Sequence, residues 1–224
     1  MEKPLRGWAL AKRRVKRLGL IKVSGQIAFS LFIVPVLNFV SKNRRHTILK
    51  NYSFELEDIP EHKIAQFLSV NDVDCIDYLK SLNPDIVIVN GTRILSSKLL
   101  NAVNAVFINM HVGITPQYRG VHGAYWALVE NDFEHCGVTI HLVDKGIDTG
   151  AVLYQTKINT TSHDNFTTYP FIQFGEGMTL MLMAVDDAVN NKLTPRTENL
   201  NKGKLWYHPG FWQYLYLRIV KGKK

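Results

Sequence analysis

From residue 70 onward, the apolar positions alternate between two spacings. Val73, Ile76, Leu79 and Leu82 step by three behind Asn71, which can cap a helix, and Asn83-Pro84 ends the run. Residues 85–90 (DIVIVN) form a short β-branched run suited to a buried parallel strand. Gly91-Thr92-Arg93 turns the chain, residues 96–102 suit one or two helical turns, and residues 103–111 read as a second strand. After a loop bearing Gly and Pro, the pattern predicts a short helix over 123–131 and strands over 137–144 and 151–158. A long helix over 172–190 and an aromatic amphipathic segment over 211–220 complete it. In GVTIHLVD, Val138, Ile140 and Leu142 share one face, and Thr139, His141 and Val143 the other. Strands alternating with helices imply an α/β chain with a mostly parallel sheet flanked by helices. Ligands of such sheets collect at the carboxyl ends of strands, here residues 90–93, 109–111 and 144–148.

The first 50 residues follow a different rule. They hold twelve Lys/Arg against one acid, Glu2, a balance of +11, whereas the other 174 residues balance at −3. The net charge of +8 therefore belongs to a leader. Within it, residues 27–40 (IAFSLFIVPVLNFV) are apolar but fall short of the ~20 residues a membrane span needs, and Ser30, Pro35 and Asn38 interrupt them. No small-residue cleavage site follows. The reading preferred here is a helix packed on the body, ahead of an anchor on an anionic membrane surface and well ahead of a span. The chain divides into a basic, apolar leader (1–50) and a body (51–224), together one structural domain.

Composition narrows the class. With 224 residues, 46% hydrophobic and 21% charged, the chain can bury a core and is not disordered. Two cysteines, Cys75 and Cys136, make no disulfide scaffold, so a cytoplasmic setting is expected, with peripheral membrane contact through residues 1–50 left open. Histidines 111, 122, 135 and 141 are numerous, but no metal-ligand spacing unites them, and no metal is expected.

One polar set stands out. Asn109 and His111 are two apart on a strand, so both side chains leave the same face while Met110 leaves the other. Asp148 lies between Gly146 and Gly150 in a loop after a strand. An amide, an imidazole and a carboxylate at neighbouring strand ends make an acid/base set with an oxyanion donor. Strand-end capping and a self-bonded turn explain the same spacing, and spacing alone favours that plainer reading. The tetrad Asp148-Thr149-Gly150-Ala151 also matches the aspartic protease signature, but those chains are mainly β and this one carries a long helix.

The stretch NMHVGITPQYRGVHGAYWALVENDFEHCGVTIHLVDKGIDTG (109–150) resembles the folate-dependent formyltransferases, a group that includes glycinamide ribonucleotide, methionyl-tRNA and sugar-nucleotide N-formyltransferases. NGTRILS (90–96) resembles the group's pterin-pocket segment. The resemblance implies a Rossmann-like fold and N10-formyltetrahydrofolate as formyl donor. It makes Asn109, His111 and Asp148 the catalytic residues and Asn90, Arg93, Ile94, Leu95, Val143 and Asp144 the folate pocket. Tyr118, Arg119 and Gly120 would contact the substrate. Protonated His111 and the Asn109 amide would meet the developing oxyanion, with Asp148 holding the imidazole charged and helping move the amine proton.

Two departures from the group's pattern bear on the acceptor. Gly113-Ile114-Thr115-Pro116 replaces the usual Ser-Leu-Leu-Pro, and the leader stands where a first β-α-β unit is expected. A small-molecule amine, such as an amino-sugar nucleotide, is the acceptor favoured. Donor hydrolysis and methionyl-tRNA formylation are alternatives, and an inactive domain serving as a membrane or nucleic-acid adaptor is a reading of another class. A homodimer is an option, and nucleic acid is disfavoured as a partner.

Overall fold

A computed structural model describes residues 7–54, 57–199 and 203–223. Helices α1 (Gly7–Leu18), α2 (Leu20–Ala28), α3 (Val34–Val40) and α4 (Lys42–Asn51) come first, with a π-turn over Phe29–Ile33. Next are α5 (Val73–Leu82), β1 (Ile86–Val89), α6 (Ser97–Ala102), β2 (Val106–His111) and the short β3 (Tyr118–Gly120). The chain continues through α7 (Gly123–Val129), β4 (Gly137–Leu142), β5 (Val152–Lys157), α8 (Tyr169–Val189), β6 (Lys204–Trp206) and α9 (Phe211–Ile219).

The main sheet has the order β1-β2-β4-β5, and β3 pairs with β6 in a second, two-stranded sheet. The chain is α/β with helices flanking the sheet, but the sheet is mixed and not mostly parallel. β1 and β2 run parallel, while β2–β4 and β4–β5 run antiparallel. Residues 143–151 explain the last pairing, because so short a connection can reverse a strand but cannot carry a parallel crossover. Among the described residues no strand precedes β1, which forms an edge of the main sheet.

Alternation along β2 and β4 sets the two faces of the sheet. Ile108 and Ile140 are fully buried and cluster with Leu153, Met181 and Ala184 against α8. Gly177 allows α8 to come that close, since a Cβ there would lie 2.8 Å from the Met110 sulfur. At the start of α5 the capping position is Asp72, not Asn71. Asn71 instead accepts from Ser96 N at 2.7 Å and donates to the Ile94 carbonyl at 3.0 Å, tying α5 to the segment before α6.

The N-terminal helices share the core of the body. Val23, Gln26, Phe29, Leu37, Ser41 and Ile48 are buried at steps of three, four, seven and eight, one stripe carried through three helices. Pro35 supplies no N–H to this run, and the π-turn immediately before it accommodates the broken ladder. Phe29 packs edge-on against Phe166 at 4.9 Å and, tilted, against Tyr214 at 5.1 Å. Burying a ring of that size contributes roughly 1.5–3 kcal/mol. Gln26 donates to the His208 carbonyl at 2.8 Å, and Arg44 forks onto Asp164 at 2.8 and 2.9 Å.

Candidate active site

β2 delivers Asn109 and His111 to one face, and β4 places His141 and Thr139 directly opposite them in the antiparallel register. The loop after β4 then brings Asp148 back over these side chains. That loop is shaped by Asp144, whose Oδ1 accepts from Gly146 N at 2.9 Å and from the Thr149 hydroxyl at 2.6 Å. Asp148 itself has φ 51, in the left-handed region that Asp tolerates better than most residues.

The hydrogen bonds fix the roles of the nitrogens. His141 Nδ1 donates to the Leu142 carbonyl at 2.7 Å, so Nε2 carries a lone pair and accepts from Asn109 Nδ2 at 3.1 Å. One Nδ2 hydrogen of Asn109 remains uncommitted by this bond. His111 Nε2 donates to the Tyr118 carbonyl at 2.7 Å, and its Nδ1 lies 3.3 Å from Asp148 Oδ2. Asp148 Oδ2 also accepts from Gly120 N at 2.9 Å, and Oδ1 is 3.7 Å from His141 Nε2.

Burial sets the ionisation. Removal from water pulls the His111 imidazole below its ordinary range, outweighing the Asp148 carboxylate, which pulls the other way. Burial would raise Asp148, but the positive charge that His111 can carry and the Gly120 N–H hold its carboxyl below the usual range. The Asp148 carboxylate thus faces His111 Nδ1 at 3.3 Å, where burial disfavours the charged imidazole and the carboxylate favours it.

These groups open onto a cavity of about 380 Å³. Asn90, Arg93, Ile94 and Leu95 form one wall, Val143, Asp144 and Asp148 another, and Asn109, His111, Gly120 and His141 also line it. The Arg93 guanidinium donates to the Leu68 carbonyl at 2.8 Å, and buried Leu95 reaches the cluster of Ile76 and Leu99.

Residues 42–171 match the formyl transferase family. The chain belongs to that family. It is 32% identical over 147 residues to the methionyl-tRNA formyltransferase of Thermodesulfovibrio yellowstonii, covering 65% of this chain and 46% of that protein. It thus spans about half the length of the curated relatives it matches. Formyltransferase PseJ from Anoxybacillus kamchatkensis, solved with UDP-4,6-dideoxy-4-formamido-L-AltNAc and tetrahydrofolate, shares the fold. Its TM-score is 0.52 at 22% identity, over 79% of this chain and 86% of that one. A sugar N-formyltransferase from a Shewanella species gives a TM-score of 0.52 at 24% identity, over 63% and 55% of the two chains.

In this formyl transferase family member, the structure brings together every predicted residue except two side chains. Tyr118 does not reach the cavity. Its ring stacks on Trp206 at 5.5 Å and its hydroxyl donates to Asp132 Oδ2 at 3.0 Å, so only its carbonyl serves the site. Arg119 does not line the cavity either; in the β3–β6 pairing it stands opposite Leu205. Gly120 contributes its N–H. His141, which sequence alternation places on the site face, is the direct partner of Asn109 and belongs to the site proper. Phe174 of α8 also lines the cavity, a long-range contact with no local signal in the sequence.

Proposed function

We propose that this protein transfers a formyl group from N10-formyltetrahydrofolate to a primary amine, that of an amino-sugar nucleotide or another small molecule. The observation that carries this reading is the joint placement of Asn109, His111, His141 and Asp148 on the wall of one cavity. Leu95, Val143 and the backbone of residues 93–95 offer a flat heteroaromatic ring an apolar seat, and Asn90 and Asp144 lie at its polar edge. The family match and the sugar-nucleotide ligand of PseJ support the donor and the acceptor class.

When bound, the donor supplies a formyl carbon open to attack by an amine. Asn109 would meet negative charge growing on the formyl oxygen through its free Nδ2 hydrogen, while His141 keeps the amide turned for that task. One such donor lowers the rate barrier by ~2.7–4 kcal/mol. The amine proton would pass to the Asp148–His111 pair, whose carboxyl is held below its usual range, and from there to N10 as the formyl–N10 bond breaks and tetrahydrofolate leaves. The Nε2 hydrogen of His111 is already given to Tyr118, so in this reading Nδ1, which faces Asp148, is the nitrogen that exchanges the proton.

The test is incubation of the purified chain with N10-formyltetrahydrofolate and a panel of amines: nucleotide-linked amino sugars, free amino sugars and methionyl-tRNA. Tetrahydrofolate release that depends on an added amino sugar, with formylated product seen by mass, supports the proposal. Release without any amine identifies a donor hydrolase. Absence of donor binding by folded protein overturns the assignment.

A further inference from the structure

Residues 20–40 form a helical run of 21 residues rich in apolar side chains, yet only 22% of its most apolar 18-residue stretch is buried. The inner face, Val23, Gln26, Phe29 and Leu37, packs on the body. On the outer face Leu20, Ile21, Leu31, Phe32, Val36, Phe39 and Val40 are 58–89% exposed. A contiguous apolar face of this kind left open to water marks a contact surface for lipid or protein. The two serines of the run bond within it, while Gln26 and Lys22 reach the body at His208 and Tyr207. Ser24 Oγ donates to the Ile21 carbonyl and Ser30 Oγ to the Gln26 carbonyl, both at 3.0 Å, so neither hydroxyl asks for water.

α9 extends the same surface. Tyr214 and Leu217 face the core, while Trp212, Tyr216, Ile219 and Val220 are exposed. Phe32 meets Phe211 at 6.4 Å, and Phe211 meets Trp212 at 5.0 Å, joining the two outer faces. Trp and Tyr beside aliphatic residues are the mixture found at a membrane–water boundary.

Charge follows the same partition. Residues 3–54 and 199–224 contain no Asp or Glu, and residues 199–224 hold six Lys/Arg. Residues 51–198 hold nine Lys/Arg against eighteen acids. The surplus of positive charge therefore sits on the segments that expose the apolar face, with Lys12, Arg14, Lys16 and Arg17 before it and Lys42 and Lys50 after it.

We propose that the outer faces of α2, α3 and α9 insert in-plane into one leaflet of an anionic lipid bilayer, with headgroup phosphates meeting the flanking lysines and arginines. A helix lying flat accounts for cationic residues at both of its ends. A span is incompatible with the inner face, where Gln26 is hydrogen-bonded to the His208 carbonyl and Phe29 is fixed in the aromatic cluster. A second copy seated here would press two acid-free, cationic surfaces together, and like charges oppose such an interface.

The test is flotation of the full chain with vesicles of phosphatidylcholine alone or mixed with phosphatidylglycerol. Binding to the anionic vesicles at low salt is expected, falling at least about tenfold at ~1 M salt, where screening acts within ~3 Å. Trp emission should shift to the blue on binding and be quenched by lipids brominated high in the acyl chain, and Trp212→Phe should remove most of that response. The double variant Ile21→Glu/Phe39→Glu should lose binding by tenfold or more. Leu182→Glu, at an exposed position on α8, should bind as the parent does, and all variants should keep the parent's melting temperature. Failure of folded protein to float with anionic vesicles at low salt overturns the proposal. So does resistance of cell-membrane association to alkaline carbonate, which marks a span. A dimer that buries Trp212 and ignores lipid also overturns it.

Discussion

Asn109 and His141 stand directly opposite each other on antiparallel strands, and Asn109 Nδ2 meets His141 Nε2 at 3.1 Å. Because His141 Nδ1 is spent on the Leu142 carbonyl, this bond has one direction, and it holds the amide with a hydrogen to spare. The orientation of the proposed oxyanion donor is therefore set by the His141 ring on the neighbouring strand.

Asn109→Ala should lower kcat for formyl transfer by ~10²–10³-fold, the usual loss for an oxyanion donor. His141→Phe should leave the donor in place but unaligned and cost up to ~10²-fold in kcat, with KM for the formyl donor little changed. Steady-state kinetics on both variants checks this. Full kcat in His141→Phe would show that the cross-strand bond does not orient the amide.

Asp148→Asn isolates charge from shape. Asn accepts the left-handed backbone at this position, and its amide oxygen can still receive the Gly120 N–H. The variant should fold with a nearly unchanged melting temperature and lose ~10²–10⁴-fold in rate. In the parent protein, the acid limb of the rate profile should lie below the ordinary histidine value of 6.5, since burial depresses His111. Retention of more than about a tenth of the parent rate in Asp148→Asn removes the carboxylate from the proton path.

Gly113→Ala tests the wall behind His111. A Cβ there would come within 2.5 Å of the Tyr118 carbonyl oxygen and 2.7 Å of His111 Nε2, the two atoms of the bond that anchors the imidazole. Relief requires the backbone of β3 to shift, at a cost of ~1–3 kcal/mol. Activity should fall further than the lowered melting temperature accounts for, and activity measured well below that temperature separates the two effects.

The local elements of the body were readable because period and punctuation agreed. Asn83-Pro84 ends α5, and Ser96 caps α6 by accepting from Leu99 N at 3.2 Å. The co-facing of Asn109 and His111 followed from strand alternation, and the resemblance over residues 109–150 supplied Asp148. What could not be read rests on distant partners. Tyr118 looks like a site residue beside Gly120, yet pairing of β3 with β6 turns its ring onto Trp206, 88 residues away in the chain. Strand direction was also hidden, since an apolar run suits a parallel or an antiparallel neighbour equally. The tautomer of His141 needed the Leu142 carbonyl in view.

The histidines outside the site make stability depend on acid. His122, at φ 59 before α7, shares a single contact of 2.9 Å between its Nε2 and His208 Nδ1, and its ring lies 4.2 Å from that of Phe166. Burial, with a smaller push from His208, lowers His122 from 6.5 to about 3. Burial and the nearby Arg14 lower His208 as well. A depressed folded value means that the unfolded chain binds the proton first. The stability is then complete above pH 6.5 and is lost as pH falls toward 3, at up to ~1.4 kcal/mol per pH unit for one such group. Asp148 and Asp164, both held below 3.8, add their own losses only at lower pH, so the window above about pH 4 isolates the histidines. His122→Asn keeps a residue that tolerates the left-handed backbone and removes the titration. Urea midpoints measured from neutral pH down to about pH 4 should fall less steeply in this variant, by close to one proton's worth of slope. Equal slopes in the two proteins would show that His122 is protonated in the native state across that range.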